Sequence, residues 1–148
     1  MNYTTTNELN HFDFKEACIN EIRLSLDSLI FYLDNVKILP ENSKNRDIRL
    51  MRTNNLTLKI ANVTIESLVE EGYKVFNPNG DLLKKVPDRI VEKEQYSQEF
   101  QNLQGCFINS IEQKENSYIV NIDTEDHTYR FIFSGDANTI EWDRFFNL

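Results

Sequence analysis

The sequence predicts a mainly β protein: an antiparallel sheet or partly closed barrel of two similar meander halves, with one helix between them. Three observations predict it. Apolar residues recur with period two along most of the chain. One segment, within 92–103, has apolar residues at helical spacing. The stretch 20–34 returns, without a gap, as 109–123, with five identities in fifteen positions (Asn20/Asn109, Ile22/Ile111, Ser28/Ser117, Ile30/Ile119, Asp34/Asp123). At 148 residues the chain is read as a single domain, 1–148, with an internal duplication of about 14–70 and 100–146. Each half would be a meander of three or four strands unable to cover its own apolar face, so the two would share one core.

The elements follow in order. The first ten residues are polar and are expected to fray. Ile22, Leu24 and Leu26 alternate with Glu21, Arg23 and Ser25; Asp27-Ser28 reads as a tight turn, and Leu29, Phe31 and Leu33 continue the alternation toward Val36 and Ile38. That is a β-hairpin with a long second arm. Pro40 to Asn45 is a loop by its turn residues, Ile48 to Met51 a short edge strand, and Leu56, Leu58 and Ile60 alternate again before Val63 and Ile65. Tyr73 to Phe76 makes a strand that Leu82-Leu83 answers across Asn77-Pro-Asn-Gly80. Tyr96, Phe100 and Leu103 give the helical face, with Asp88 as a cap and Gly105 as a stop. Strands resume at Cys106–Ile111, 118–122 and 129–133, and Thr139 to Phe146 is the last apolar element. About eight to ten strands are expected. The core candidates are Ile22, Leu24, Leu29, Phe31, Leu33, Leu58, Ile60, Ile119, Phe131 and Phe133.

Composition excludes several functions. Sixteen Lys and Arg against twenty-four Asp and Glu give a net charge of −8, which argues against nucleic acid or an anionic membrane as the main partner. Four Gly leave no phosphate-cradling loop, and no Gly-x-Ser-x-Gly, P-loop or His-Glu-x-x-His pattern is present. No stretch approaches the ~18–20 apolar residues of a membrane span. The start carries no basic, apolar leader, so a cytoplasmic location is expected. Cys18 and Cys106 are too few for a disulfide framework and read as small buried hydrophobes. The three Asn-x-Thr matches are chance in an Asn-rich chain.

Little is left to carry chemistry. His11 and Asp13 could form an acid/base pair, although a single His near a terminus is more often a surface or capping residue. Asp123, Glu125, Asp126 and His127 crowd one loop, but without the Gly or the spacing of a cation loop they read as a solvated, acidic turn. No catalytic, cofactor-binding or metal-binding residue can be named. The carboxyl-terminal aromatics Trp142, Phe145 and Phe146 either close the core or form an apolar patch that recruits another chain. Trp142 is expected to be buried and Phe146 to be the more exposed ring.

The runs Phe12-Asp-Phe-Lys-Glu-Ala-Cys-Ile-Asn-Glu-Ile22 and Leu29-Ile-Phe-Tyr-Leu-Asp-Asn-Val36, with a late Trp142, resemble small bacterial β-rich proteins of unknown function, several of them similar to immunity proteins encoded beside polymorphic toxins. The resemblance covers roughly 11–66 and 128–146. It departs from the pattern at the opening, where His11 and Asp13 are separated by Phe12 instead of adjacent. It implies a non-enzymatic protein that binds another protein, and it carries over no site residue.

The sequence therefore points to a cytoplasmic protein-binding module, in its most specific form an immunity protein neutralising a toxin. The acidic charge would steer it toward a basic partner, with Asp123, Glu125, Asp126, Trp142, Phe145 and Phe146 as the candidate contact residues. A homodimer is compatible with this reading. The alternatives are a small ligand-binding protein or enzyme of unknown reaction, and a self-associating structural protein.

Overall fold

The computed structural model describes residues 2–148. Its strands begin with β1 (Tyr3–Thr6), β2 (Phe12–Asp13), β3 (Cys18–Ser25), β4 (Ser28–Asp34), β5 (Val36–Ile38), β6 (Met51–Thr53), β7 (Leu56–Ile60) and β8 (Thr64–Glu70). They continue with β9 (Tyr73–Phe76), β10 (Leu82–Val86) and β11 (Arg89–Ile90), then the helix α1 (Tyr96–Asn102), then β12 (Phe107–Lys114), β13 (Ser117–Asp123), β14 (Thr128–Ser134) and β15 (Asn138–Trp142). The protein is mainly β, with 53% strand and 9% helix. Ten strands form one antiparallel sheet in the order β1-β15-β7-β4-β3-β12-β13-β14-β8-β11. Of the two predicted architectures, the sheet is the one formed: it is not closed into a barrel. The small sheets β2-β5-β6 and β9-β10 stand apart from it.

The long sheet folds over on itself. Phe31 on β4 lies 6.3 Å from Phe131 and 6.1 Å from Phe133 on β14, although β14 is four strands away in the sheet. The two five-strand halves thus face one another across a layer of aromatic rings. Phe100 of α1 joins that layer at 5.6 Å from Phe131. The β2-β5-β6 sheet contributes Phe12, whose ring meets Trp142 edge-on at 5.4 Å.

The halves join at a narrow seam between β3 and β12, where Cys18 opposes Phe107. The amides of Glu16 and Gly105 donate to the carbonyls of Ile108 and Ile19, and those of Ile19 and Ile108 donate to Cys106 and Ala17. Each bond has a counterpart 89 residues along, and the pattern is unchanged when the halves are exchanged. Glu16 (φ 70°) and Gly105 (φ 84°) occupy equivalent left-handed positions, as do Leu26 (φ 53°) and Glu115 (φ 55°) in the hairpin turns. The register shifts at Asn20 in β3–β4 and at Asn109 in β12–β13 also coincide at this separation.

Beyond these hairpins the halves interleave. β7 lies beside β4, but the chain then crosses to add β8 against β14 in the other half; after β14 it crosses back to add β15 against β7. The two connections touch where they pass. Ala61 donates to the Ala137 carbonyl at 3.0 Å, Asp136 donates to the Ala61 carbonyl at 2.9 Å, and the Asn62 amide donates to the Asp136 carboxylate at 2.7 Å. A Cβ on Gly135 would lie 2.4 Å from Ile60 Cγ2 and 2.8 Å from the Ala61 carbonyl oxygen, so the crossing leaves room for Gly alone.

Several sequence expectations are corrected. The turn of the first hairpin is Leu26-Asp27, because Ser28 already pairs with Ser25. The opening segment is not frayed at residues 3–6: β1 pairs with β15 at the edge of the sheet. The edge strand expected at 48–51 forms at Met51–Thr53, and several two- to four-residue strands raise the count above the expected eight to ten. The helix occupies Tyr96–Asn102, after a 3-10 turn at Lys93–Gln95, and Asp88 does not cap it. In the core list, Leu24 is 45% exposed at the hairpin end, and Ile119 is half-buried because Tyr118, Val120 and Ile122 form the inward face of β13. The other eight candidates are buried.

Two consequences are measurable. Replacing Gly135 with Ala should lower stability by about 1–3 kcal/mol through overpacking at the crossing; an unchanged urea midpoint would show that the connections can separate there. Trp142, fully buried between Tyr3, Phe12 and Phe145, should cost about 3–5 kcal/mol on replacement by Ala. Phe146 is half-buried under Arg52, and its replacement by Ala should cost much less in the same denaturation experiment.

Candidate functional site

Among the candidate contact residues, the carboxyl-terminal aromatics serve mainly to close the fold. Trp142 stacks on Tyr3 at 5.5 Å and has no exposed surface, so it offers a partner nothing to touch. Phe145 sits edge-on to both Tyr3 and Trp142 and is half-buried. Phe146 exchanges two backbone hydrogen bonds with Arg52 of β6 while the Arg52 guanidinium lies 5.4 Å above its ring. The candidate pair of His11 and Asp13 does not form: His11 Nδ1 lies 3.1 Å from Glu8 Oε1, and Asp13 accepts from the Lys15 amide instead.

The acidic loop is presented as expected, though not uniformly. Glu125 and Asp126 are exposed, whereas Asp123 is half-buried, accepting from Asn109 at 3.0 Å and from Thr128 at 3.2 Å. Thr124 ties the loop to the His127 backbone. With Glu71 and Tyr73 the loop lines a shallow hollow of about 380 Å³. Among the described residues no group of His, Cys, Asp and Glu has the arrangement of a metal site.

Beside this rim stands a cluster of exposed apolar side chains. The β9–β10 hairpin continues the β8–β11 pair outward: Glu70 faces Arg89, then Tyr73 faces Val86. Pro87 has no amide to donate, so the ladder breaks there. Gly72 lets the two legs approach closely, since a Cβ on it would fall 2.0 Å from the Val86 carbonyl oxygen, and its amide donates to Asp88 at 2.6 Å. Beyond the break the hairpin leaves the body. Phe76, Leu82 and Leu83 are 55%, 52% and 64% exposed, and Tyr73 and Val75 are exposed too. A register shift at Leu83 places the pairs Phe76/Leu82 and Lys74/Lys85 on one face. Tyr73 at the base lies 5.6 Å from the His127 ring, so the arm and the acidic rim adjoin.

A second cluster, missed in the sequence, fixes the base of this arm. Arg89 on β11 donates to Glu70 on β8 at 3.2 Å and to Glu99 on α1, and the Tyr129 hydroxyl on β14 shares its proton between the two carboxylates, 2.8 Å from Glu70 Oε2. The hydrogen bond from Arg89 holds the Glu70 carboxyl below its ordinary range against the opposing effect of its partial burial. Burial, then the bonds to Glu99 and Glu70, push the Tyr129 hydroxyl well above the usual tyrosine value. Glu70 and then Glu99 hold the Arg89 guanidinium charged. The sequence carried one clue: Glu99 falls on the same helical stripe as Tyr96, Phe100 and Leu103, where a carboxylate requires a partner. The cluster is a clasp between four elements, and each of its four side chains is bonded to at least one other.

An open groove of about 710 Å³ lies between the segment 9–15 and β12, lined by Phe12, Phe14 and Ile111 with Asn109, Ser110 and Gln113. It lies among residues with no catalytic pairing. No helix among the described residues is long and apolar enough to cross a membrane. Comparison of the chain with protein families, with curated proteins and with solved structures finds no match.

The clasp gives a pH prediction. A carboxylate whose folded pKa is depressed stabilises the fold above its unfolded value and loses that contribution as pH falls through the folded one. For Glu70 the loss begins below the ordinary glutamate value of 4.5. Arg89→Met should therefore flatten the acid limb of a stability-against-pH curve. It should also cost about 1–3 kcal/mol at neutral pH by leaving the buried Glu99 short of a donor. An acid limb identical to the parent's would exclude the Arg89 contact as its source.

Proposed function

We propose that this protein is a non-enzymatic, cytoplasmic protein-binding module and that the β9–β10 hairpin is its docking arm. The observation that carries the reading is the arm itself, whose apolar side chains are exposed on a ribbon that the body does not cover. A two-stranded ribbon in water has little stability of its own, and exposed Phe and Leu on it become favourable when a partner buries them. The exposed Glu125 and Asp126 beside it add an electrostatic guide, which accelerates and orients an encounter more than it strengthens the complex. Neutralisation of a bacterial toxin is the most specific form of this proposal, supported by the sequence resemblance and by the net charge of −8, which suits a basic partner.

The test compares the parent with the Phe76→Ser, Leu82→Ser double variant, both tagged and crosslinked in the cells that produce them. A protein recovered in fixed proportion with the parent and lost from the variant is the expected result. Equal recovery with both would remove the arm from the binding surface. If the parent binds no protein, neither another copy of itself nor a different chain, the reading as a binding module fails.

A further inference from the structure

Charge is unevenly divided between the arm and the rest of the molecule. The arm, Tyr73–Val86, carries Lys74, Lys84 and Lys85 against Asp81 alone, so it is basic on a chain whose total is −8. Lys84 lies 5.9 Å above the Tyr73 ring. Lys74 and Lys85 oppose one another directly across the ladder, an arrangement that repels within the arm unless an anion lies against it. Among the described residues none of the three forms an ion pair. The face that carries this pair also carries Phe76 and Leu82, so its complement is an acidic surface with apolar contact area beside it.

Such a surface adjoins the base of the arm. Glu71, Glu125 and Asp126 border Tyr73, and none of these carboxylates has an ion-pair partner among the described residues. A basic apolar arm next to an acidic rim on one molecule is self-complementary under a two-fold axis. The arm of one copy meets the rim of the other, and the same contact repeats in reverse. We propose that two copies of this chain associate through the arms, with Lys74 and Lys85 of each facing Glu125 and Asp126 of the other and the Phe76/Leu82 pairs buried between them. This inference rests on the arm being a docking surface and adds what occupies it.

Sedimentation equilibrium of the full chain over a range of concentrations and salt tests it. The parent should be a dimer that dissociates on dilution, and its dissociation constant should rise with salt because the opposed charges are screened. Phe76→Ser with Leu82→Ser, and separately Lys74→Glu with Lys85→Glu, should each raise the dissociation constant at least tenfold. Glu125→Lys with Asp126→Lys should do the same alone. Mixing that variant with the Lys74→Glu, Lys85→Glu variant should restore a dimer containing one of each. Trp142 fluorescence and urea midpoints like the parent's would establish that the variants are folded, as expected for changes outside the core. A parent that stays monomeric at every concentration overturns the inference, as does a dimer that survives all three double variants. A charge-swapped mixture that stays monomeric overturns the arm-to-rim pairing. If a monomeric parent still retains a different protein through Phe76 and Leu82, the binding reading stands and the second copy alone is excluded.

Discussion

The architecture depends on two connections that must pass each other at one point. The link from β7 to β8 carries the chain out of the half-sheet it has just built, and the link from β14 to β15 brings it back. Both run past Gly135, where no side chain fits between them, and they bond through Ala61, Asp136 and Ala137. Each half-sheet is therefore completed by a strand delivered from the other. Neither half can leave with its own sequence, so the two share one core and one unfolding transition.

The crossing also explains why the seam can be narrow. Between β3 and β12 the ladder has one Cα pair and a few backbone bonds, too little to hold two half-sheets in register. The rings of Phe31, Phe131 and Phe133 supply the contact instead, from interior strands of halves already locked together by the exchanged strands. Equivalent bonds at Glu16/Ile108 and Gly105/Ile19 show the same local solution used twice, although one position holds Gly and the other Glu in a left-handed conformation. Such a conformation costs a side-chain-bearing residue about 1–2 kcal/mol, so Glu16 is held there by its surroundings.

The parts of this fold that were legible in the sequence are those governed by short-range pattern. Alternation in 22–33 and 118–133 located β3, β4, β13 and β14, since one buried face forces period two. The same pattern does not say how far a buried face extends or which face is inward, and Leu24 and Ile119 show both limits. β1 was illegible because its one large apolar residue, Tyr3, is covered by Trp142 from the far end of the chain. At the candidate site, the acidic loop and the two strands of the arm could be read, but their adjacency could not. The clasp gathers Glu70, Arg89, Glu99 and Tyr129 from four elements, so the sequence held a single unread clue to it, Glu99 on an apolar stripe.

The clasp and the arm are consequences of the same break in one long hairpin. Up to Glu70 and Arg89 the β8–β11 pair belongs to the main sheet and has α1 and Tyr129 against it. At Gly72 and Pro87 the ladder stops, and the chain beyond has no sheet to join and no helix to cover it. A hairpin needed only to connect β8 with β11 could turn at this break. Instead it continues through two more strands carrying Phe76, Leu82 and Leu83 into solvent, while the clasp holds its root. A firmly anchored base reduces the conformational freedom that the arm must lose when it is buried, and that loss is a principal cost of association. The physical reason to regard the arm as a binding element is this combination of an apolar ribbon outside the core and a root fixed by a mutually bonded polar cluster.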